Sequence, residues 1–179
     1  MSTASRLQQF GKVFQERNLD AFFVGCEPNV SYLTGYTGTE SFAVLLPDKR
    51  YFLTDFRYVE QAQRELKGFT IVLRDKKPYS VMVREICEKH GVRRLGVEAG
   101  RISFALYRAL SRNCAQTSLV PVTDAIENLR VRKDREEIHK IRRSIEAMRL
   151  GMESLAAGLA PGMKEREIQA KLEYDTKMF

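Results

Sequence analysis

The chain has 179 residues, of which 44% are hydrophobic and 30% charged, a composition typical of a globular protein with its own core. No stretch approaches about 18 consecutive apolar residues, and the charged N-terminus lacks the apolar centre of a secretory signal. We therefore expect no membrane partner. The three cysteines, Cys26, Cys87 and Cys114, form no CxxC pair, and their odd number predicts reduced thiols in a cytoplasmic protein.

Apolar runs and amphipathic segments alternate through the first 125 residues and predict the following elements. They are a helix from residue 3 to Asn18, a buried strand at 20–25, a helical turn at 27–35, a hairpin at 41–47 and 50–55, a helix at 56–66, a strand at 69–73, a helix at 79–89, a strand at 94–98, a helix at 103–112 and a strand at 118–122. This alternation with short connections indicates an α/β fold whose mixed sheet is covered by helices.

The remaining residues have a different pattern, typical of two amphipathic helices. Apolar residues recur every three or four positions from Ile138 to Leu155, after Asp134, which can cap the helix. The segment 158–163 interrupts this pattern, and a second helix follows it. Two helices cannot bury their apolar stripes as an independent domain, so they either pack on the α/β part or need a partner segment.

The net charge of +7 leaves a nucleic-acid surface as an alternative. The most basic segment, 129–149, contains interspersed acidic residues and no Phe, Tyr or Trp side chain that could stack on bases. This pattern favours a solvated helix face, and we expect no nucleic-acid partner.

Chemistry-bearing motifs are missing from the sequence. Only two histidines occur, His90 and His139, without an HExxH or GxSxG pattern. The glycine-rich segment 32–41 fits neither a P-loop nor a dinucleotide-binding fingerprint. Asp55 and Arg57 follow a predicted strand, where Asp55 could cap the next helix and Arg57 could pair with a carboxylate. On these grounds the glycine-rich segment and this pair are predicted to serve turns and caps.

The order of five segments is more informative than any single motif. Together they resemble the front half of the Xaa-Pro peptidases, the prolidase, aminopeptidase P and creatinase family of pita-bread metallohydrolases, from about Arg6 to Tyr174. In chain order the segments read NVSYLTGYTG, FLTDFRYVEQAQRE, LGVEAGRISFALYRAL, IENLRVRKDREEIHKIRRSIEAM and LAPGMKEREIQAKLEY. The family commonly has Thr or Ser where this chain has Lys164, so the resemblance implies a weaker cap for the last helix.

The resemblance implies a particular domain organisation. Residues 1–126 would be a creatinase-type N-terminal domain with a ribonuclease H-like sheet, 127–133 a linker, and 134–179 the first helices of a truncated catalytic domain. In the full-length parent, two divalent metals (manganese, cobalt or zinc) would be held by two Asp, one His and two Glu outside this chain. The chain itself would then have no catalytic residue, no metal ligand and no activity alone.

The family resemblance also implies a homodimer that acts on proline-containing peptides, in which the N-terminal domain of one subunit approaches the active site of the other. The loop 37–41 would lie there and limit substrate length, with other residues supporting it. The residues expected to shape the substrate site are Tyr36, Thr37, Gly38, Thr39, Glu40, Ser41, Asp55, Arg57 and Tyr58. Three alternatives stay open: a stand-alone dimerisation or binding module, a creatinase-like amidinohydrolase parent, and a nucleic-acid binder with a ribonuclease H-like sheet.

Overall fold

A single mixed sheet organises the first of two units in the computed structural model, which describes residues 2–179. Its strands are β1 (Ala21–Val24), β2 (Phe42–Leu45), β3 (Arg50–Thr54), β4 (Thr70–Leu73), β5 (Arg94–Glu98) and β6 (Ser118–Val122). They lie in the order β4-β3-β2-β1-β5-β6. Strand β2 runs antiparallel to both neighbours, and the other pairs are parallel. The predicted hairpin is therefore β2–β3, and the predicted α/β fold with a mixed sheet is confirmed.

Helices connect the strands and cover both faces of the sheet. In the unit of residues 2–132 they are α1 (Thr3–Phe10), α2 (Lys12–Glu16), α3 (Glu27–Thr34), α4 (Val59–Glu65), α5 (Tyr79–His90), α6 (Phe104–Asn113) and α7 (Glu127–Val131). The prediction of one N-terminal helix reaching Asn18 is wrong. The helix breaks at Gly11, which ends α1 and begins α2, and Asn18 has a positive φ of 52°.

Side chains that alternate along the strands create two buried layers. On one face, Phe22 and Phe52 pack with residues from α1 to α4, and the ring centroids of Phe10 and Phe22 are 5.0 Å apart. On the other face, Phe23 and Leu53 pack against α5 and α6. The sheet is therefore covered on both sides, as expected for strands that read as continuous apolar runs.

A buried carboxylate fixes the start of α3. Glu98, the last residue of β5, is only 4% exposed. Its carboxylate accepts hydrogen bonds from the backbone N–H groups of Gly25 and Cys26 at 2.6 and 2.9 Å, and from the Asn29 side-chain amide at 2.6 Å. Cys26, the N-cap residue, provides no side-chain hydrogen bond to the helix. Glu98 thus satisfies donors at the N-terminus of α3 from a distant strand.

The same network continues into α7. The Asn29 side-chain amide also donates to Glu127 at 2.8 Å, and the guanidinium of Arg130 donates to the side-chain oxygen Oδ1 of Asn29 at 2.7 Å. Arg101 donates to Glu127 at 2.9 Å. The segment predicted as a linker, 127–133, therefore contains a helix that is hydrogen-bonded to α3. The domain boundaries themselves stay a prediction.

The loop after α3 rests on a buried aromatic ring. Tyr36 is fully buried, and its ring centroid lies 4.8 Å from that of Phe52. Within residues 2–179 its hydroxyl has no hydrogen-bond partner. A Cβ atom added to Gly38 would overlap this hydroxyl oxygen, so the loop backbone passes close to the ring at a position that suits glycine.

Residues 133–179 form the second unit, with helices α8 (Arg135–Ala157) and α9 (Glu165–Met178). Asp134 caps α8 as predicted: its carboxylate accepts the Glu137 N–H, and Glu137 accepts the Asp134 N–H. At the start of α9 the Lys164 side chain accepts no hydrogen bond, and Glu167 accepts the Lys164 N–H at 2.9 Å, so half of the capping arrangement found at Asp134 is present. Five apolar side chains of α8 remain exposed, namely Ile138, Ile141, Ile145, Met148 and Met152. None of the helices in residues 2–179 has the length and apolarity needed to cross a membrane.

Replacing Glu98 with glutamine should lower the free energy of unfolding by about 2 kcal/mol, because the amide has one acceptor oxygen where the carboxylate uses two to accept hydrogen bonds from three donors. Urea denaturation monitored by circular dichroism measures the change. Glu16→Gln, an exposed position at the end of α2, serves as the matched control and should change stability by a few tenths of a kcal/mol. Equal effects of the two substitutions would show that the buried network does not stabilise the fold.

Replacing Gly38 with alanine should cost about 1–3 kcal/mol, because its Cβ overlaps the Tyr36 hydroxyl. Tyr36→Phe should be close to neutral, since it removes a buried hydroxyl that lacks a partner within residues 2–179. The double variant should recover part of the loss, because phenylalanine leaves more room for the alanine. A double-mutant cycle from urea denaturation tests this, and strictly additive effects would contradict the contact.

Candidate functional site

The loop that follows α3 owes its course to two residues with left-handed backbone. Gly35 ends α3 with φ of 79°, and Glu40 has φ of 52° just before β2. A glycine with left-handed backbone commonly ends a helix, because glycine adopts this conformation without steric cost. The Thr34 hydroxyl accepts the Tyr36 N–H at 3.1 Å and donates to the Val30 carbonyl. The glycine-rich segment is therefore a helix end followed by a tightly held loop.

Thr37 ties the loop to α4. Its N–H and its hydroxyl donate to the carboxylate of Glu65 at 2.9 and 3.0 Å, and Gln61 donates to the same carboxylate at 2.9 Å. The hydrogen bond from the Thr37 backbone, followed by that from Gln61, lowers the pKa of Glu65. Glu65 thus remains an anion that holds the loop in place.

Exposure divides the loop residues into two groups. Thr37, Thr39 and Glu40 are exposed, and Gly38 is half-buried. Ser41 is only 3% exposed, so its side chain lies beneath the loop surface. The Glu40 N–H donates to Glu27 at 3.1 Å, and the Thr39 hydroxyl donates to that of Tyr58 at 3.4 Å. Because the Thr37 side chain is bound to Glu65, the exposed side chains that Glu65 does not hold are Thr39 and Glu40.

Asp55 and Arg57 form a tight pair beside the loop. The Asp55 carboxylate accepts the Arg57 N–H at 2.9 Å and the guanidinium in a bidentate contact, with Nη2 at 2.6 Å. The side-chain hydrogen bond from Arg57 lowers the pKa of Asp55. The expected pairing of Arg57 with a carboxylate is confirmed. The expected capping of α4 by Asp55 is wrong, because the turn 56–58 precedes the helix, whose N-cap is Tyr58 without a side-chain cap.

Arg57 remains available to other molecules despite this pair. Its side chain is 53% exposed, and the guanidinium carbon lies 5.1 Å from the Tyr58 ring centroid. Phe56, which sequence reasoning missed, is 75% exposed on the same turn. No sequence signal marked it, because 56–66 is predicted as one helix, whereas the structure has a turn at 56–58 that leaves Phe56 at the surface.

We call the exposed residues Thr39, Glu40, Phe56 and Arg57 the rim. They offer a hydroxyl, a carboxylate, an aromatic ring and a guanidinium, which suit contacts with a peptide. Among residues 2–179 no three His, Cys, Asp or Glu side chains form a group that could hold a metal ion. The rim therefore exposes polar, charged and aromatic groups, and it belongs to no metal-holding group within residues 2–179.

Comparisons with known proteins identify the fold. The model of the Creatinase/Prolidase N-terminal domain matches residues 6–132. An uncharacterized peptidase of Bacillus subtilis is 30% identical over 169 residues, covering 94% of this chain and 48% of that protein. A Xaa-Pro dipeptidase of Pyrococcus furiosus is 26% identical over 175 residues, covering 97% of this chain and 48% of that protein.

Solved structures agree with this result. A Xaa-Pro dipeptidase from Bacillus anthracis superposes with a TM-score of 0.90 at 24% identity, over 99% of this chain and 49% of that chain, which shows a shared fold. The chain spans about half the length of the curated relatives described above. The domain match, the B. subtilis relative and the common fold agree with the resemblance found in the sequence. The chain thus belongs to the creatinase/prolidase family of Xaa-Pro peptidases, through its N-terminal domain.

Proposed function

We propose that the chain is the non-catalytic N-terminal part of a longer Xaa-Pro dipeptidase or aminopeptidase. The observation that carries this proposal is the match of residues 6–132 to the Creatinase/Prolidase N-terminal domain, within an alignment that continues into α8 and α9. The substrate would be a peptide with a bond to proline. A cytoplasmic location fits the three free cysteine thiols.

The full-length parent would use two divalent metals, manganese, cobalt or zinc, which activate water and polarise the peptide carbonyl when bound. Because residues 2–179 hold no fitting ligand group, we derive no hydrolytic step from this chain. The ligands implied by the family resemblance, two Asp, one His and two Glu, would lie outside it. The role of this chain in the full-length parent would be to dimerise and to shape the substrate site.

We assign this shaping role to the rim. In a homodimer, Thr39 and Glu40 would face the active site of the partner subunit and limit the length of peptide that fits, while Arg57 would meet a carboxylate of the substrate. Binding groups held in a fixed place favour reaction by positioning the substrate and excluding water. Buried Tyr36, Ser41 and Asp55, the half-buried Gly38 and Tyr58, and the anchored Thr37 would hold the rim in position.

Activity of the longer protein tests the proposal as a whole. The coding sequence beyond Phe179 should continue with Asp, Asp, His, Glu and Glu in that order. The encoded protein should hydrolyse a Xaa-Pro dipeptide or a Xaa-Pro tripeptide when manganese is present and lose activity with a chelator. A natural stop codon after Phe179 would instead favour the stand-alone binding or dimerisation module. Turnover of creatine without turnover of either peptide would favour the amidinohydrolase.

The proposed difference between the rim residues and the residues that hold them leads to a separate prediction. In the full-length parent, Thr39→Ala with Glu40→Ala should raise KM or change the preference between dipeptide and tripeptide by about fivefold, the value of one lost hydrogen bond. Metal content, measured by elemental analysis, should stay the same. Ser41→Ala should change the preference less than the rim pair does, because the buried Ser41 side chain would act on the substrate only through the position of the rim.

The control for the rim substitutions is Lys12→Ala with Glu16→Ala, which changes two exposed residues of α2 outside the loop. If this pair and the rim pair alter KM equally, or if neither alters it, the rim does not contact the substrate. If the rim variant loses metal, its effect would have to be attributed to the stability of the metal centre.

A further inference from the structure

A short hydrogen bond joins a tyrosine of the sheet to the last residue of α5. Tyr51 lies in β3 and is only 6% exposed, within the buried cluster that α5 and α6 cover. His90 ends α5 and is followed by Gly91, which has left-handed backbone. The Tyr51 hydroxyl oxygen and the Nε2 atom of His90 are 2.6 Å apart, and the two ring centroids are 5.5 Å apart. This contact ties the end of a helix to the sheet across 39 residues of sequence.

The Tyr51 hydroxyl can donate this bond only while His90 is neutral. In the described part of the chain, 2–179, the Nε2 atom of His90 is the one hydrogen-bond partner of this hydroxyl. A ring nitrogen accepts a hydrogen bond only when it carries no proton. The neutral tautomer with its proton on Nδ1 therefore accepts the Tyr51 hydroxyl, whereas an imidazolium carries a proton on both nitrogens and accepts nothing.

The charged groups around His90 are mostly positive and come from two elements. Asp48 and Lys49 lie in the turn between β2 and β3, and Lys89 precedes His90 in α5. The Nζ atom of Lys89 also lies 6.0 Å from the ring centroid of Tyr51. Partial burial, followed by the charges of Lys49 and Lys89, lowers the pKa of His90, whereas Asp48 acts in the opposite direction. A proton on His90 would thus place a third cation at this corner of the domain.

We propose that the hydrogen bond between Tyr51 and His90 is a pH-dependent latch, which joins β3 to the end of α5 and opens when His90 takes up a proton. Opening frees two neighbouring segments, the last turn of α5 and the turn between β2 and β3. The residues of the latch are not part of the rim. The proposal therefore holds whether or not the full-length parent is a peptidase.

The direction of the effect follows from which state binds the proton more readily. In the unfolded chain His90 has the ordinary pKa of about 6.5, and in the folded chain its pKa is lower. The unfolded state therefore binds more protons as the pH falls through the ordinary value, so acid favours unfolding. The stability that neutral His90 provides is complete above about pH 7.5 and is lost below about pH 6.5. At about pH 5.5, one such histidine can raise the unfolding equilibrium constant by at most about tenfold.

Urea denaturation of the full chain at about pH 7.5 and about pH 5.5 tests the latch. The unfolding equilibrium constant of the wild type should rise about three- to tenfold more between these pH values than that of His90→Gln. Glutamine keeps an acceptor oxygen and takes up no proton, and the contribution of the carboxylates cancels because both proteins carry the same ones. Tyr51→Phe should lose at least half of this pH-dependent difference, because it removes the hydroxyl that requires a neutral histidine.

The matched control is His139→Gln. His139 is the other histidine of the sequence and is exposed in α8. This variant should keep the wild-type dependence on pH.

Hydrogen exchange of the wild type gives a local readout that requires no variant. The Leu46 N–H closes the turn between β2 and β3 on the Lys49 carbonyl at 2.8 Å, and the Val92 N–H closes the end of α5 on the Cys87 carbonyl at 2.9 Å. Both amides should lose protection at the lower pH, after correction for the intrinsic effect of pH on exchange. Amides of the central strand β1 should keep their protection.

Three results would overturn the latch. The first is a wild-type dependence on pH that persists in His90→Gln or disappears in His139→Gln. The second is a full dependence on pH in Tyr51→Phe, since the charge of His90 would then act without the hydrogen bond. The third is unchanged protection of Leu46 and Val92 at the lower pH, which would mean that the contact stays closed when His90 is protonated.

Discussion

The buried carboxylate of Glu98 is the interaction on which much of the N-terminal domain depends. It ends a central strand and receives the donors at the start of α3, while Asn29 extends the same network to Glu127 and Arg130 in α7. A carboxylate this deeply buried is costly unless all its partners are present. The network around the Glu98 carboxylate therefore fixes β5, α3 and α7 relative to one another. Because α3 leads directly into the loop 37–41, this network also fixes the helix from which the loop starts.

In the candidate site, the side chains exposed to a ligand are different residues from those that hold the two turns in place. Exposed side chains on two turns form the rim, whereas the groups that hold those turns are buried or hydrogen-bonded within the domain. Thr37 is fixed by Glu65, and Arg57 by Asp55, before any ligand arrives. Groups held in this way lose little conformational entropy on binding. This arrangement suits a domain that contributes shape and positioning to a site whose chemistry lies elsewhere.

Local patterns in the sequence predicted the elements but not the long-range contacts. The hairpin β2–β3 and the Asp134 cap were predictable because their partners are neighbours in sequence. The role of Glu98 was not, since a glutamate at a strand end usually faces water and its donors lie 69 to 73 residues away. Asp55 was expected to cap α4 because the turn at 56–58, which separates Asp55 from this helix, has no distinct pattern in the sequence. Phe56 was missed because exposure of an aromatic residue follows from the tertiary fold.

The contact between Gly38 and Tyr36 links the interior of the domain to its surface in an unexpected way. The buried ring of Tyr36 fills the space beneath Gly38, so no side chain fits at Gly38 while the ring keeps its place. A residue in the interior thus limits which residue can occupy the loop on the surface, and a change at one of these two positions constrains the other.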